Sequence, residues 1–471
     1  MLFSSGIFLV YFLPLVLGGY WIVPSKAKNA YLLAASLFFY WWGAPTFSII
    51  VLLTSSANFL IARQLTDSPR KKLFLWLYIL INLGLLCYFK YMNFFIENVN
   101  ELLGFAGYTS IEWTKIVLPV GISFFTFQSI TYGVDVYRKN AEPQKFILNY
   151  LLYILFFPQL IAGPIVTYRS IADQLSNRTH SLDNFMNGFM RFVIGLSKKV
   201  LIANVLAEYS DLLQTQDALY PPDSSLMAWL MALAYTFEIY FDFSGYSDMA
   251  IGLGRMFGFS FPENFDRPYL SKSITEFWRR WHMTLGEFMK NYLYIPLGGN
   301  RVAIGRMYAN LLTVFTLSGL WHGASWNFLA WGLFHGLWLV IERLSPWRNS
   351  AKFGGLKMLF TFIIVLHGWV LFDATSMQEA INHLSAMYSF QNAEYLAEKN
   401  AFYFEIHLVI AALVALLGLS GRLNRIYFVQ LSEVNSFGMK VGTAVILSVL
   451  FILCLSHVVV GSFNPFIYFQ F

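Results

Sequence analysis

The chain has 471 residues, of which 57% are apolar, 19% aromatic and only 12% charged, with a formal net charge of +6 and a mean hydropathy of +0.55. A typical soluble domain carries about 25% charged residues, so this composition argues against a soluble protein and for a chain that crosses a bilayer many times. Cys87 and Cys454 stand in separate apolar runs, which leaves no disulfide framework and no thiolate metal site. The basic excess fits Lys and Arg on cytoplasmic loops; no RRM, zinc finger or basic helix speaks for nucleic acid.

Backbone amides in hydrocarbon must be satisfied within the chain, so the spans are expected to be helices. The alternating pattern of a membrane barrel is absent. Residues 1–25 hold no charged side chain and no A-x-A-like cleavage site, which predicts a retained first span over 3–23. Residues 29–62 are also uncharged. As one helix they would be about 50 Å long, against about 30 Å of bilayer core. Gly43-Ala44-Pro45 near the middle predicts two spans joined by a tight turn.

Further spans are expected near 73–90, 116–136, 148–166, 187–206, 226–240, 243–258, 309–321, 324–342, 357–374, 405–420 and 440–461, some of them re-entrant. Lys26 and Lys28 follow the first span, and Arg63, Arg70, Lys71 and Lys72 follow the third. The positive-inside rule places both loops in the cytoplasm, with the N-terminus and the 91–115 loop outside. The expected fold class is an all-α polytopic helical bundle, with residues 1–471 forming a single membrane-embedded domain.

The 262–306 segment is too polar to span, with Arg267, Lys272, Arg279, Arg280, Lys290, Arg301 and Arg306 against Glu263, Asp266, Glu276 and Glu287. Within it, 273–290 reads as an amphipathic helix with Ser273 as N-cap and Glu276 completing a capping box. Phe277, Trp281 and Leu285 recur at helical spacing, as do Trp278 and His282. Glu276 and Arg280 can pair at i, i+4. An interfacial helix resting on anionic lipid and a basic cytoplasmic surface for a phosphate-rich donor both remain open on these residues.

Residues 307–341 carry no charged side chain, yet Leu320-Trp321-His322-Gly323 stands inside them. An ionisable group at membrane depth is costly and by default suggests function; a hydrogen bond to a neighbouring helix is the plainer alternative. His335 and His367 also lie in apolar runs, whereas His180 and His383 lie in polar stretches and read as surface residues. No His pair at i, i+4 and no carboxylate near His322 supports a metal site. A third constellation, Asp242, Ser244, Tyr246, Ser247 and Asp248, reads either as a buried polar network pinning helices together or as a chamber lining.

At these residues the sequence resembles the membrane-bound O-acyltransferase superfamily, in the branch of the alginate O-acetylation membrane protein. The resemblance runs over nearly the whole chain. It includes Met1-Leu2-Phe3-Ser4-Ser5, Leu118-Pro119-Val120-Gly121-Ile122-Ser123, Phe157-Pro158-Gln159, Tyr294-Ile295-Pro296-Leu297-Gly298-Gly299-Asn300-Arg301 and Pro465-Phe466-Ile467-Tyr468-Phe469-Gln470-Phe471. Its most specific blocks are Asp242 to Gly252, Asn264 to Tyr269, Glu276 to Thr284, Tyr294 to Arg301 and Gly319 to Gly323. One departure is Asp373, where this branch often has Arg.

The resemblance implies two functional histidines, His322 in the Leu-Trp-His-Gly motif and His282 in the Arg-Trp-His motif. It implies a funnel of helices in a bacterial inner membrane, with acetyl-CoA as cytoplasmic co-substrate and no bound cofactor. A periplasmic or membrane-anchored partner would take the acetyl group for O-acetylation of an exopolysaccharide or peptidoglycan. On that basis His322 is expected to act as general base, with a covalent acyl-histidine as a variant. His282 would orient the donor or stabilise the oxyanion. Trp278, Trp281 and Trp321 would exclude water, Arg279 and Arg280 would contact CoA phosphates, and Asp242, Tyr246 and Asp248 are candidate lining residues. Two alternatives are a D-alanyl transferase of the teichoic-acid type with a carrier-protein donor, and a transporter or flippase.

Overall fold

A computed structural model describes residues 1–161, 163–214, 225–345, 353–389 and 437–461. The uncharged stretch after the first helix folds as two helices, Lys28–Gly43 and Pro45–Ala62, hinged at Ala44. Pro45 opens the second helix, where its missing N–H costs nothing. Among the described residues the secondary structure is helical, without strands. Among the described residues five helices are long and apolar enough to cross a membrane: Pro45–Ala62, Lys71–Phe105, Ser225–Met256, Gly354–Asp373 and Val441–Val459. Their outer faces show large apolar side chains such as Leu53, Trp76, Leu80 and Ile452, a surface suited to lipid rather than water. The chain is a multi-pass helical membrane protein.

Several expected boundaries move, each for a local reason. The 73–90 span continues to Phe105 through a π-helical turn at Cys87–Tyr91. Most of the expected 91–115 loop is therefore helix. Lys90 does not end it, because its side chain turns into the protein, and Glu97 pairs with Lys115 at 3.0 Å. Conversely, 148–166 is not one span. Ile147–Leu155 is followed by a single turn, Phe157–Leu160, because Pro158 cannot continue the first helix. The backbone beyond it is satisfied by side chains. Tyr153 donates to the Val166 carbonyl at 3.0 Å, and the Ile165 N–H donates to Thr284 Oγ1 at 3.0 Å. Irregular backbone at membrane depth survives only with such partners.

The pair 226–240 and 243–258 forms one helix, Ser225–Met256. The polar cluster within it does not break it, because a neighbouring helix supplies the opposite charges. Lys199 Nζ meets Asp242 Oδ1 at 2.6 Å, and Lys198 Nζ meets Asp248 Oδ2 at 2.6 Å. Arg191 bridges Asp248 and Glu263. Lys198 and Lys199 lie in a π-helical turn that continues the Leu182–Ser197 helix. The two backbones approach so closely that a Cβ on Gly195 would lie 2.5 Å from the Gly245 carbonyl oxygen, and one on Gly252 2.5 Å from that of Gly188. Facing glycines of this kind let helices pack without a hydrophobic driving force between them.

The amphipathic helix expected over 273–290 is interrupted. Ile274–Arg280 and Met283–Phe288 are separate helices, with Trp281 extended and His282 left-handed at φ 45°. Ser273 does cap the first, its Oγ accepting from the Glu276 N–H at 3.0 Å. The Glu276 carboxylate reaches back one residue further than a capping box, to the Lys272 N–H at 2.8 Å. Glu276 and Arg280 pair as expected, at 2.8 Å. The predicted span at 405–420 lies outside the described residues.

Asp242 and Lys199 are both essentially inaccessible, so removing one partner leaves an uncompensated charge. Lys199→Met is expected to cost about 3–5 kcal/mol, read as a lower thermal unfolding midpoint in detergent. Lys199→Met with Asp242→Asn should recover most of the loss. Equal midpoints for the single variant and wild type would show that the pair does not hold these helices.

Candidate functional site

The loop after Ser225–Met256 carries Asn264, which is 1% exposed. Its Oδ1 accepts from the Thr284 backbone N–H at 3.3 Å and from Thr284 Oγ1 at 2.9 Å, while its Nδ2 donates to Ser247 Oγ at 3.1 Å. A backbone N–H can only donate, so the amide orientation of Asn264 is settled by Thr284. The same Oδ1 lies 3.1 Å from His282 Nδ1. An amide oxygen can only accept, so Nδ1 carries the proton. In the neutral ring Nε2 then keeps its lone pair. Two backbone bonds, Met283 N–H to the Asn264 carbonyl at 3.0 Å and Asp266 N–H to that of Arg280 at 2.9 Å, lock the two segments together. They hold His282 in a left-handed conformation that costs a non-glycine residue roughly 1–3 kcal/mol. Strain of this size persists where the surroundings over-determine it, here with the imidazole buried against Phe243.

His322 is the last residue of the Ile304–His322 helix. The helix stops there because Gly323 is extended and packs under Phe328, whose ring would lie 2.1 Å from any Cβ at that position. Trp326–Leu344 follows as the second arm of a hairpin. A Cβ on Gly319 would lie 2.2 Å from the Phe328 carbonyl oxygen, so the arms touch backbone to backbone. The His322 ring sits among Trp321, Trp331 and Phe372, with centroids at 4.7, 5.0 and 5.1 Å. Trp321 also faces the other imidazole, 6.0 Å from the His282 ring. It is stacked on Phe127, which is stacked on Phe288. Residues 40 positions apart in sequence thus place both imidazoles, each at most 3% exposed, against one indole.

On one side of His322 lies a cavity of about 70 Å³, lined by Lys90, residues 118–124, Ile161 and Trp321 as well as the histidine. His282 is buried, and Arg279, three residues before it, is exposed.

The other sequence-derived candidates divide. Trp281 and Trp321 are buried around the histidines, and Trp278 packs on Trp331 and His335. Arg279 faces outward and has no ion pair among the described residues, whereas Arg280 is held by Glu276 and Asp266. Asp242 and Asp248 engage the lysines and arginine described above. Tyr246 stacks on Phe3, with centroids 4.6 Å apart and rings 12° from parallel. Asp242 and Asp248 thus belong to the ion pairs that join these helices, while Tyr246 packs on the N-terminal segment. His367 is satisfied by the Ile363 carbonyl and Tyr388. His180 and His383, expected at the surface, are only partly exposed and bond Tyr20 and the Ala228 carbonyl. No cluster of His, Cys, Asp or Glu suited to a metal occurs among the described residues.

Sequence reasoning missed Asn264 and Lys90. Asn264 lies in a block the resemblance singles out, but its role needs Thr284 and Ser247, which only the fold brings near. Lys90 is the one charged residue between Lys72 and Glu97; the rule that flagged His322 applied equally to it.

Residues 146–372 match the membrane-bound O-acyltransferase family. The chain is 40% identical to a probable alginate O-acetylase of Pseudomonas putida over 100% of both chains. It is 38% identical to a peptidoglycan O-acetyltransferase of Helicobacter pylori, over 82% of this chain and 80% of that one. To a teichoic acid D-alanyltransferase of Streptococcus thermophilus it is 29% identical, over 52% and 61%. The chain belongs to the membrane-bound O-acyltransferase family.

Asn264→Ala frees the His282 tautomer without touching the His322 helix. It is expected to lower acyl transfer by about 10²-fold, the scale of a misplaced catalytic group, while the protein stays monodisperse on size exclusion in detergent. Wild-type turnover in this variant would show that the tautomer does not matter.

Proposed function

We propose that this member of the membrane-bound O-acyltransferase family moves an acetyl group from cytoplasmic acetyl-CoA to a hydroxyl acceptor on the opposite side of the membrane. The acceptor is a partner protein or carrier that serves O-acetylation of a cell-surface or extracellular polysaccharide. The observation that carries this reading is the placement of His282 and His322 against Trp321. His282 follows the basic pair Arg279 and Arg280, and His322 borders the cavity.

The direction follows from charge. Lys71–Phe105 begins beside Arg70, Lys71 and Lys72, a cytoplasmic signature. Lys90 is then about 28 Å further along the axis, near the far face. The cavity between Lys90 and His322 is the acceptor side. Arg279 and its basic neighbours are the donor side, where guanidinium groups suit phosphates.

In the reaction, His322 takes the proton of the acceptor hydroxyl as its oxygen attacks the thioester carbonyl. The tetrahedral adduct collapses, the C–S bond breaks, and the thiolate takes the proton from His322. An acetate ester and free CoA thiol result. A positioned base of this type contributes typically 10²–10⁴-fold. His282, with its proton committed to Asn264, presents a lone pair at Nε2. That suits accepting a hydrogen bond from an amide N–H of the donor arm, and it disfavours the oxyanion role, which needs a donor. Trp278, Trp281 and Trp321 keep water from the thioester.

The full-length 40% identity to an acetylase, against 29% over about half the chain to a D-alanyltransferase, favours acetyl over D-alanyl transfer. The partner, the acetyl-CoA donor and the inner-membrane location belong to this proposal.

With purified protein, acetyl-CoA and a hydroxyl acceptor supplied in excess, thiol release is expected for wild type. It should fall by about 10²–10⁴-fold in His322→Ala and fall in His282→Ala chiefly through a raised KM for the donor. Normal release from His322→Ala would sink the mechanism. No release by wild type, with release only from an acylated carrier protein, would replace the donor.

A further inference from the structure

We infer that Lys90 is a positioning residue for His322. Its ammonium, brought from a separate transmembrane helix, clamps the end of the helix that carries the histidine. Lys90 lies in the π-helical turn Cys87–Tyr91, and such turns recur at functional sites. It is 8% exposed. Among the described residues no carboxylate pairs with it; instead its Nζ donates to the backbone carbonyls of Trp321 and, at 3.2 Å, of His322. The next residue, Tyr91, donates its hydroxyl to the Leu320 carbonyl at 3.0 Å.

These three carbonyls belong to the last turn of Ile304–His322, where no following N–H is available within the helix. The C-terminal end of a helix carries about half a negative charge. That charge compensates a buried ammonium without a carboxylate. The arrangement therefore resolves two costs at once: the orphan carbonyls and the desolvated cation.

The consequence for the reaction is geometric. His322 has no helix beyond it to hold its backbone, and Gly323 is extended. The indole of Trp321 orients the ring from one side. Lys90 fixes the main chain beneath it, and the ammonium, 5.8 Å from the Trp321 ring centre, also holds that indole. A base displaced by about 1 Å loses roughly 10²-fold in rate. Lys90 also lines the cavity that His322 borders, with no acidic residue in that lining. Acceptor and histidine are thus referenced to the same side chain.

The kinetic consequence rests on the proposed role of His322; the clamp itself does not, so the two are read separately. Hydrogen exchange followed by mass spectrometry reports the clamp without any substrate. Lys90→Met, which keeps the stem and removes the donors, should speed exchange across 318–324 at least about tenfold, the loss expected for one buried charge-assisted bond or more. Lys90→Arg should restore protection, and Tyr91→Phe should give a smaller effect. Unchanged exchange in Lys90→Met would overturn the inference. In thiol release, Lys90→Met should lower kcat by about 10²-fold with the KM for acetyl-CoA unchanged, Lys90→Arg should recover most of it, and Lys90→Met added to His322→Ala should cost nothing more. An additive loss in that double variant, or a folded Lys90→Met with wild-type kcat, would reduce Lys90 to a structural residue. If wild type releases no thiol from acetyl-CoA, the donor reading fails and the exchange result still decides the clamp.

Discussion

A charge or an unpaired peptide group inside hydrocarbon has no solvent to fall back on, and this constraint organises the whole protein. Lys199–Asp242 and the pairing of Arg191 and Lys198 with Asp248 are its clearest expression. Buried ion pairs are weak arguments for stability against an apolar alternative, yet breaking one is severe. They therefore act mainly on specificity: only one register of the two helices brings every charge to its partner, and facing glycines allow that register to close. The Ser225–Met256 helix, so fixed, carries Ser247 and Phe243, and from these the Asn264 and His282 side chains take their places.

The same constraint shapes the two histidines differently. His282 stands where the chain leaves helical geometry altogether. Its backbone is strained, and its ring is held by an asparagine whose own orientation is settled by a backbone amide. His322 stands where a helix simply ends, and the exposed carbonyls of that end are met by Lys90 and Tyr91 from another span. One imidazole is positioned through its ring nitrogen, the other through its main chain and aromatic walls. Trp321 touches both, so the spacing of the two imidazoles is set by one indole.

This division suits a reaction in which two substrates arrive from opposite faces. In the proposed reaction a donor held by guanidinium groups would need a basic, exposed approach, and Arg279 is basic and exposed. An acceptor hydroxyl needs a base in a confined space, which the cavity beside His322 supplies.

Composition and pattern alone determined that the chain spans a membrane, that Gly43 to Pro45 breaks the early apolar run, and that His322 is an anomaly in an uncharged run. Ser273 as a cap and the Glu276–Arg280 pair were also legible, because caps and i, i+4 pairs are local in sequence. Several things were decided only by tertiary structure. The polar run at Asp242 to Asp248 reads like a helix break until Lys198 and Lys199 are placed beside it. The periodicity of 273–290 reads as one helix because hydrophobic spacing does not register that Asn264, far back in the chain, withdraws His282 from it. Lys90 reads as the end of a span, since nothing nearby in sequence can show that its ammonium meets the end of a helix more than 200 residues away. The physical reason is common to all three: a buried polar group is stable only with its partner, and in this protein the partners come from other segments of the chain.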